Sequence, residues 1–252
     1  MSTSSLRPLP NGRLAQLSRR AAEYGAALAL DDPRELADRL YRYNSMPAGR
    51  ELGGVAERWT GGGEGLPVES RRDGIWEVRD ASDAPPLEGP MYKLYVSPVP
   101  ADTARAFDVL LSELGAPGGP FSAKAALEPP SLFRPDRIVG YFATRGACLA
   151  TARRIAPRLA GMTAQGVPFT AALGRSGLLS WGADPPPAVA QTLPEHEQSW
   201  RRWLCARLAE AILAERGISN SAASAAPADT ALAALARLHA AGVPPDWTPP
   251  WR

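Results

Sequence analysis

Met91-Tyr92-Lys93-Leu94-Tyr95-Val96-Ser97 is the stretch whose reading decides the fold. Its side chains alternate: Tyr92, Leu94 and Val96 form an apolar row, and Lys93, Tyr95 and Ser97 form a polar one. Period-two alternation is the signature of a strand with one buried face. A lysine and a tyrosine two residues apart project to the same side, so Lys93 and Tyr95 share a face, and Ser97 continues that row. Residues 101–114 follow with Ala104, Phe107, Leu110, Leu111 and Leu114 at helical spacing, and Gly115 stands at the expected stop. A strand-helix unit results.

Further strands are expected at 75–79, 121–125, 137–142, 166–172 and 178–181, with a helix at about 147–159. Together they make a mixed, mostly antiparallel sheet flanked by helices, an α+β fold. Two helices, 13–28 and 33–43, precede the sheet, the second opened by Asp31-Asp32 as caps and Pro33 at its first position. A long helix at 194–216 and a last one at 228–241 follow, before a Pro-rich tail. The expected organisation is an N-terminal helical segment (1–45), a Gly-rich, mobile connection (46–74), an α+β core (75–217), and a C-terminal helix and tail (218–252).

The chain has 252 residues and a formal net charge of +2, so no basic field covers it as duplex binding usually requires. Its two cysteines, Cys148 and Cys205, fall inside apolar helical patterns and read as buried free thiols, not as a disulfide framework or a metal cluster. No apolar stretch reaches membrane-spanning length, and the first twenty residues lack the apolar run of a secretory signal, so a cytoplasmic protein is expected.

Among 28 basic residues only two are lysines, Lys93 and Lys124. The heavy use of Ala, Arg, Gly and Pro has the look of GC-rich coding, under which a replaceable lysine drifts to arginine. Arginine cannot surrender its proton near neutral pH, whereas a desolvated lysine can, so a site needing a neutral amine resists that drift. Chance survival on the surface is the bland alternative. Near Lys124 come Arg134 and Arg137, a pair suited to an oxyanion because guanidinium forks bind such groups in bidentate fashion. Exposed loop arginines are the alternative reading there.

Taken in order, residues 91–97, an intervening helix, Pro120-Phe121-Ser122-Ala123-Lys124 and Arg134-Pro135-Asp136-Arg137-Ile138-Val139-Gly140-Tyr141-Phe142 resemble the phospholyase fold. That fold is shared by type III effector phosphothreonine lyases and the lyase domains of lanthipeptide synthetases. The likeness is nearest to the stand-alone lyases of class V lanthipeptide and thioamitide pathways, where segments like Leu40–Asn44, Val167–Thr170 and Ser199–Arg207 also recur. It spans roughly residues 35–215 by motif order.

The resemblance implies a lyase that eliminates phosphate from phospho-Ser or phospho-Thr of a ribosomally made precursor peptide, giving dehydroalanine or dehydrobutyrine. It implies Lys124 as the base that removes the α-proton, Lys93 as the cation that steadies the enolate or the phosphate, and Arg134 and Arg137 as phosphate ligands. Tyr95 stands where the effector and class III enzymes carry a histidine acid. Neither His196 nor His239 lies in a matching segment. No metal or other cofactor is implied. The expected partners are the phosphorylated peptide, a separate Ser/Thr kinase and a cyclase subunit, with no nucleic acid and no membrane; the chain has no Gly-rich nucleotide loop of its own. Two alternatives stay open: a lanthionine-type cyclase, and a non-catalytic peptide-binding subunit of the same complex.

Overall fold

The computed structural model describes residues 12–46, 68–73, 76–81, 90–126, 131–219 and 225–250. Most of the Gly-rich connection lies outside the described residues. In chain order the elements are α1 (Arg13–Ala27), α2 (Pro33–Tyr41), β1 (Val68–Asp73), β2 (Trp76–Ala81), β3 (Tyr92–Val96), α3 (Thr103–Leu111), β4 (Ser122–Ala126), β5 (Ile138–Phe142), α4 (Arg145–Ile155), β6 (Ala171–Leu173), β7 (Leu179–Ala183), the single turn α5 (Pro187–Ala190), α6 (Trp200–Ser219) and α7 (Pro227–Ala240).

The strands form one seven-stranded sheet in the order β1-β2-β4-β5-β3-β7-β6, flanked by helices. The α+β architecture is as the sequence predicts. Every described pairing is antiparallel, so the parallel component expected of a mixed sheet is absent among the described strands. The reason is visible in the β3-α3-β4 unit. Helix α3 carries the chain across a gap of one strand, and β5 fills that gap, antiparallel to both neighbours. Lys93 and Lys124 therefore stand on strands separated by β5, not on adjacent ones.

Two more local expectations change. The polar run Val68–Asp73, read as connection, pairs with β2 and ends the described sheet on that side. Of the 166–172 strand only Ala171–Leu173 pairs; Gly166 and Phe169 take positive φ, 91° and 62°, and turn the chain. At Gly166 a Cβ would also stand 2.9 Å from Leu14 Cδ2, so glycine is required there on both counts.

Alternation gives the sheet two unlike faces. Leu94, Val96, Ile138 and Phe142 face α3 and α4, where Phe107, Leu110, Ala152 and Ile155 complete a fully buried apolar core. A second core joins α1, α2, α6 and α7 around Leu36, Leu40, Trp200, Leu204, Leu208 and Ile212. The helices from the two ends of the chain thus make one layer on the opposite face of the sheet. Trp200 sits over β7 where Gly182 leaves room: a Cβ at Gly182 would lie 3.0 Å from Trp200 Cδ1. Asp32 caps α2 through the backbone N–H groups of Arg34 and Glu35, as its position before Pro33 predicts. Cys148 and Cys205 are buried and free, and burial pushes both thiols up, Cys205 to about 12, so neither is a nucleophile at neutral pH. Among the described residues no helix is long and apolar enough to cross a membrane.

Candidate active site

The sheet register assembles the site. Across one row Lys124 of β4 stands opposite Val139 of β5, which stands opposite Tyr95 of β3. In the next row Tyr141 of β5 stands opposite Lys93 of β3. Directly paired residues project to the same side of a sheet, so Lys93, Tyr95, Lys124 and Tyr141 share the face that looks toward α2 and α6. Both ammonium groups lie 5.6 Å from the centre of the Tyr141 ring, which spaces them, and Lys124 also stacks 4.3 Å above Trp76. The only two lysines of the chain meet in one cleft of about 200 Å³.

Lys93 is tied to Asp184 by an ion pair of 2.5 Å. Asp184 also accepts a hydrogen bond from Trp200 N, 3.1 Å, and so caps α6 from a distance. A carboxylate is favoured at a helix N-terminus by the unsatisfied N–H groups there. One residue therefore holds the Lys93 side chain in place and registers the helical layer against the sheet.

Tyr95 lines the same cleft, two residues along β3 from Lys93, and is buried; its phenol is pushed well above its ordinary value by that burial and by Asp184. It stays protonated and can donate a hydrogen bond, but it is a reluctant proton donor.

Asp136 organises the rim. It accepts hydrogen bonds from Arg134 Nε (3.0 Å) and Nη2 (2.9 Å), from Arg201 Nη1 (2.8 Å) and from the Tyr41 hydroxyl (2.9 Å). Burial opposes its ionisation, but Arg201, Arg134 and Tyr41 outweigh that and hold the carboxyl well below the usual range. The Tyr41 ring is packed by the guanidinium groups of Arg202, Arg201 and Arg134 at 4.0, 4.5 and 5.3 Å. Arg201 is fully buried, its donors spent on Asp136, Pro168 O and Tyr41 O, so it is a fixed part of the wall. Arg134 and Arg202 keep partial exposure and open donors. Among the described residues five basic side chains and one carboxylate line the cleft, a local concentration of basic groups in a nearly balanced chain.

Arg134 thus joins the lysines, whereas Arg137 does not. Arg137 and Ser97 lie past the last Tyr95–Val139 pair, where the Gln165–Gly166 segment closes over the sheet. Arg137 is fully buried and donates to Pro98 O and Gln165 Oε1, while Ser97 Oγ donates to Pro135 O. Burial pushes the Arg137 guanidinium down to about 9, which still leaves it a cation at neutral pH. Its place is to pin the 131–137 loop that presents Arg134 and Asp136. Arg137→Ala is expected to cost about 1–3 kcal/mol for each buried acceptor left unpaired, measured by denaturant unfolding. His196 lies on a half-exposed turn, and His239 holds Val243 O at the end of α7; neither lines the cleft. Among the described residues no group of His, Cys, Asp and Glu could hold a metal ion.

Tyr41, Arg201 and Arg202 carry no role in the sequence reading, although the segments containing them do. Arg201 falls beside Trp200 in the apolar stripe of α6, where a buried charge breaks no period. Only its pairing with Asp136, 65 positions away, reveals it.

The described strands and helices thus form an antiparallel sheet with one face buried and, under the terminal helical layer, a two-lysine, arginine-rimmed cleft. Solved structures share the fold alone. The chain is similar in fold to the effector protein from Pseudomonas syringae pv. syringae strain 61, with a TM-score of 0.58 and 12% identity over 94% of this chain and 97% of that one. It is likewise similar to the effector protein from Pseudomonas syringae pv. tomato strain DC3000, with a TM-score of 0.53 and 12% identity over 93% and 97%. The chain matches no protein-family model and no curated protein.

Proposed function

We propose that the chain is a phospholyase that eliminates phosphate from phospho-Ser or phospho-Thr of a ribosomally made peptide, leaving dehydroalanine or dehydrobutyrine. The observation that carries this reading is the meeting of Lys93 and Lys124 in one cleft beside Arg134. The fold likeness to two bacterial effector proteins supports it.

Removing a proton from the α-carbon of an amide needs a base and, on the adjacent carbonyl, a fixed positive charge to meet the growing enolate. In this reading Lys124, as the neutral amine, takes the proton. Lys93, held by Asp184, faces the carbonyl oxygen. The Cα–H pair becomes the Cα=Cβ double bond, the Cβ–O bond breaks, and phosphate leaves with the bonding electrons. No oxidant, reductant or nucleotide is consumed. Arg134 and Arg202 neutralise the phosphate, whose second pKa of about 6 already makes it a good leaving group. Tyr95, where a histidine acid is expected of the fold, hydrogen-bonds the leaving oxygen without having to protonate it. A separate kinase would supply the phosphoryl group.

Tyr95→Phe should then lower kcat by about tenfold to a hundredfold, the worth of one hydrogen bond to a charged group, with little change in KM. Loss of all turnover would instead make Tyr95 an obligatory acid. Elimination is separated from hydrolysis by adding a small thiol after incubation with a phosphopeptide: an eliminated residue gives the thioether adduct. Free serine and no adduct would identify a phosphatase and overturn the proposal.

A further inference from the structure

The two lysines of the cleft have unlike neighbours. Lys93 lies against the Asp184 carboxylate at 2.5 Å, whereas Lys124 lies over an indole, its Nζ 4.3 Å from the centre of the Trp76 ring. The register of the sheet makes the second contact. Lys124 of β4 pairs with Val78 of β2, and Trp76, two residues back along β2, projects to the same face. Trp76 is half-buried and lines the cleft. The Tyr141 ring stands 5.6 Å from both ammonium groups and so treats them alike; Trp76 distinguishes them.

The face of an indole attracts a cation and does little for a neutral amine. In the proposed elimination Lys124 passes from amine to ammonium. The α-proton goes to Nζ, the C–H electron pair forms the double bond, and phosphate leaves with the Cβ–O pair. A ring already in place at Nζ therefore stabilises the transition state, where the charge is forming, more than the ground state. The other groups of the cleft act on that charge in both directions. The basic groups of β3, the 131–137 loop and α6, namely Lys93, Arg134, Arg201 and Arg202, oppose a further positive charge. Asp136, paired with Arg134 and Arg201, and Asp80, on the Trp76 face of β2, favour one. The tyrosines there are Tyr41, Tyr95 and Tyr141, and burial raises the first two, which stay uncharged. Trp76 adds to this balance a contact that acts on the charged form.

We infer that Trp76 is a positioning residue of the proposed elimination: its ring fixes Lys124 Nζ in the cleft and stabilises the ammonium that forms as the α-proton is taken. The inference rests on Lys124 as the base and adds the group that tunes it. Arg134 lies 5.4 Å from the same ring, so a Trp76 variant also touches phosphate binding. That effect falls on KM, and the effect through Lys124 falls on kcat.

The test uses the chain's having only two lysines: isotope-labelled lysine gives two signals, and the ring current of the indole marks that of Lys124. Both are titrated in the intact protein, in Trp76→Phe and in Trp76→Leu. The Lys124 midpoint is expected to fall by about half a pH unit to one and a half in Trp76→Leu, the range of a cation–π contact, and by less in Trp76→Phe, while Lys93 stays. Trp76→Phe keeps a ring in the half-buried place, so it reports even where Trp76→Leu fails to fold. With a phosphoserine peptide, kcat on the alkaline plateau should fall about two- to tenfold in Trp76→Leu, and the acid limb should move to lower pH. An unmoved Lys124 midpoint would overturn the inference, and so would a fall in kcat equal at every pH, the mark of a merely structural residue. The titration needs no substrate. A moved midpoint without phosphate release would therefore uphold the hold of the ring on Lys124 and count against elimination; phosphate release with an unmoved midpoint would do the reverse.

Discussion

Lys124→Arg is expected to abolish phosphate elimination, lowering kcat by about 10²–10⁴-fold, the usual worth of a positioned base, while phosphopeptide binding stays measurable. The substitution isolates the proton. Arginine keeps the positive charge and stacks on an aromatic face at least as well as lysine, so the contacts with Trp76 and Tyr141 can be retained. What it cannot supply at neutral pH is an uncharged nitrogen. If Lys124 served only as a cation beside the phosphate, arginine would do as well or better. Single-turnover mass spectrometry alongside a binding titration separates the two, and full turnover by Lys124→Arg would remove Lys124 from its assigned role.

The largest effect on stability is expected at Asp136. Asp136→Asn leaves the fully buried Arg201 without its charge partner and takes an acceptor from Arg134 and Tyr41. Removing one side of a buried ion pair costs about 3–5 kcal/mol, because the other charge remains desolvated. Denaturant unfolding at neutral pH measures it directly. The pH dependence has a definite sign. Asp136 is depressed below its ordinary value of 3.8, so its contribution is present above that value and is lost as the pH falls toward the folded one. The intact protein should lose stability as acid is added below about pH 4, and Asp136→Asn should lose less over the same interval. Identical acid profiles for the two would show that Asp136 is not what the arginines hold.

Much of this arrangement is legible in the sequence because it follows from a period of two. The alternation of 92–97 puts Leu94 and Val96 in the core and Lys93 and Tyr95 on the other face, and the structure keeps that division. The helical pattern of 101–114 likewise carries the chain from β3 to β4. What periodicity cannot tell is which strand fills the gap between them. That β5 does so depends on pairing between segments distant in sequence, and it inserts Tyr141 between the lysines. Arg134 and Arg137 look equivalent in the sequence because both border a strand. They differ because Arg134 stands in an irregular turn open to the cleft, while Arg137 enters the sheet where a distant segment covers it. The pairing of the terminal helices into one layer is also long-range, and with it the arrival of Tyr41, Arg201 and Arg202 at the rim.

The most direct test of the central claim is to incubate the purified protein with a synthetic phosphoserine peptide, without nucleotide, and to weigh the product. The account predicts a peptide lighter by one water than the unphosphorylated form, together with free phosphate. An unchanged phosphopeptide that nonetheless co-elutes with the protein would contradict it and make the chain a binding subunit.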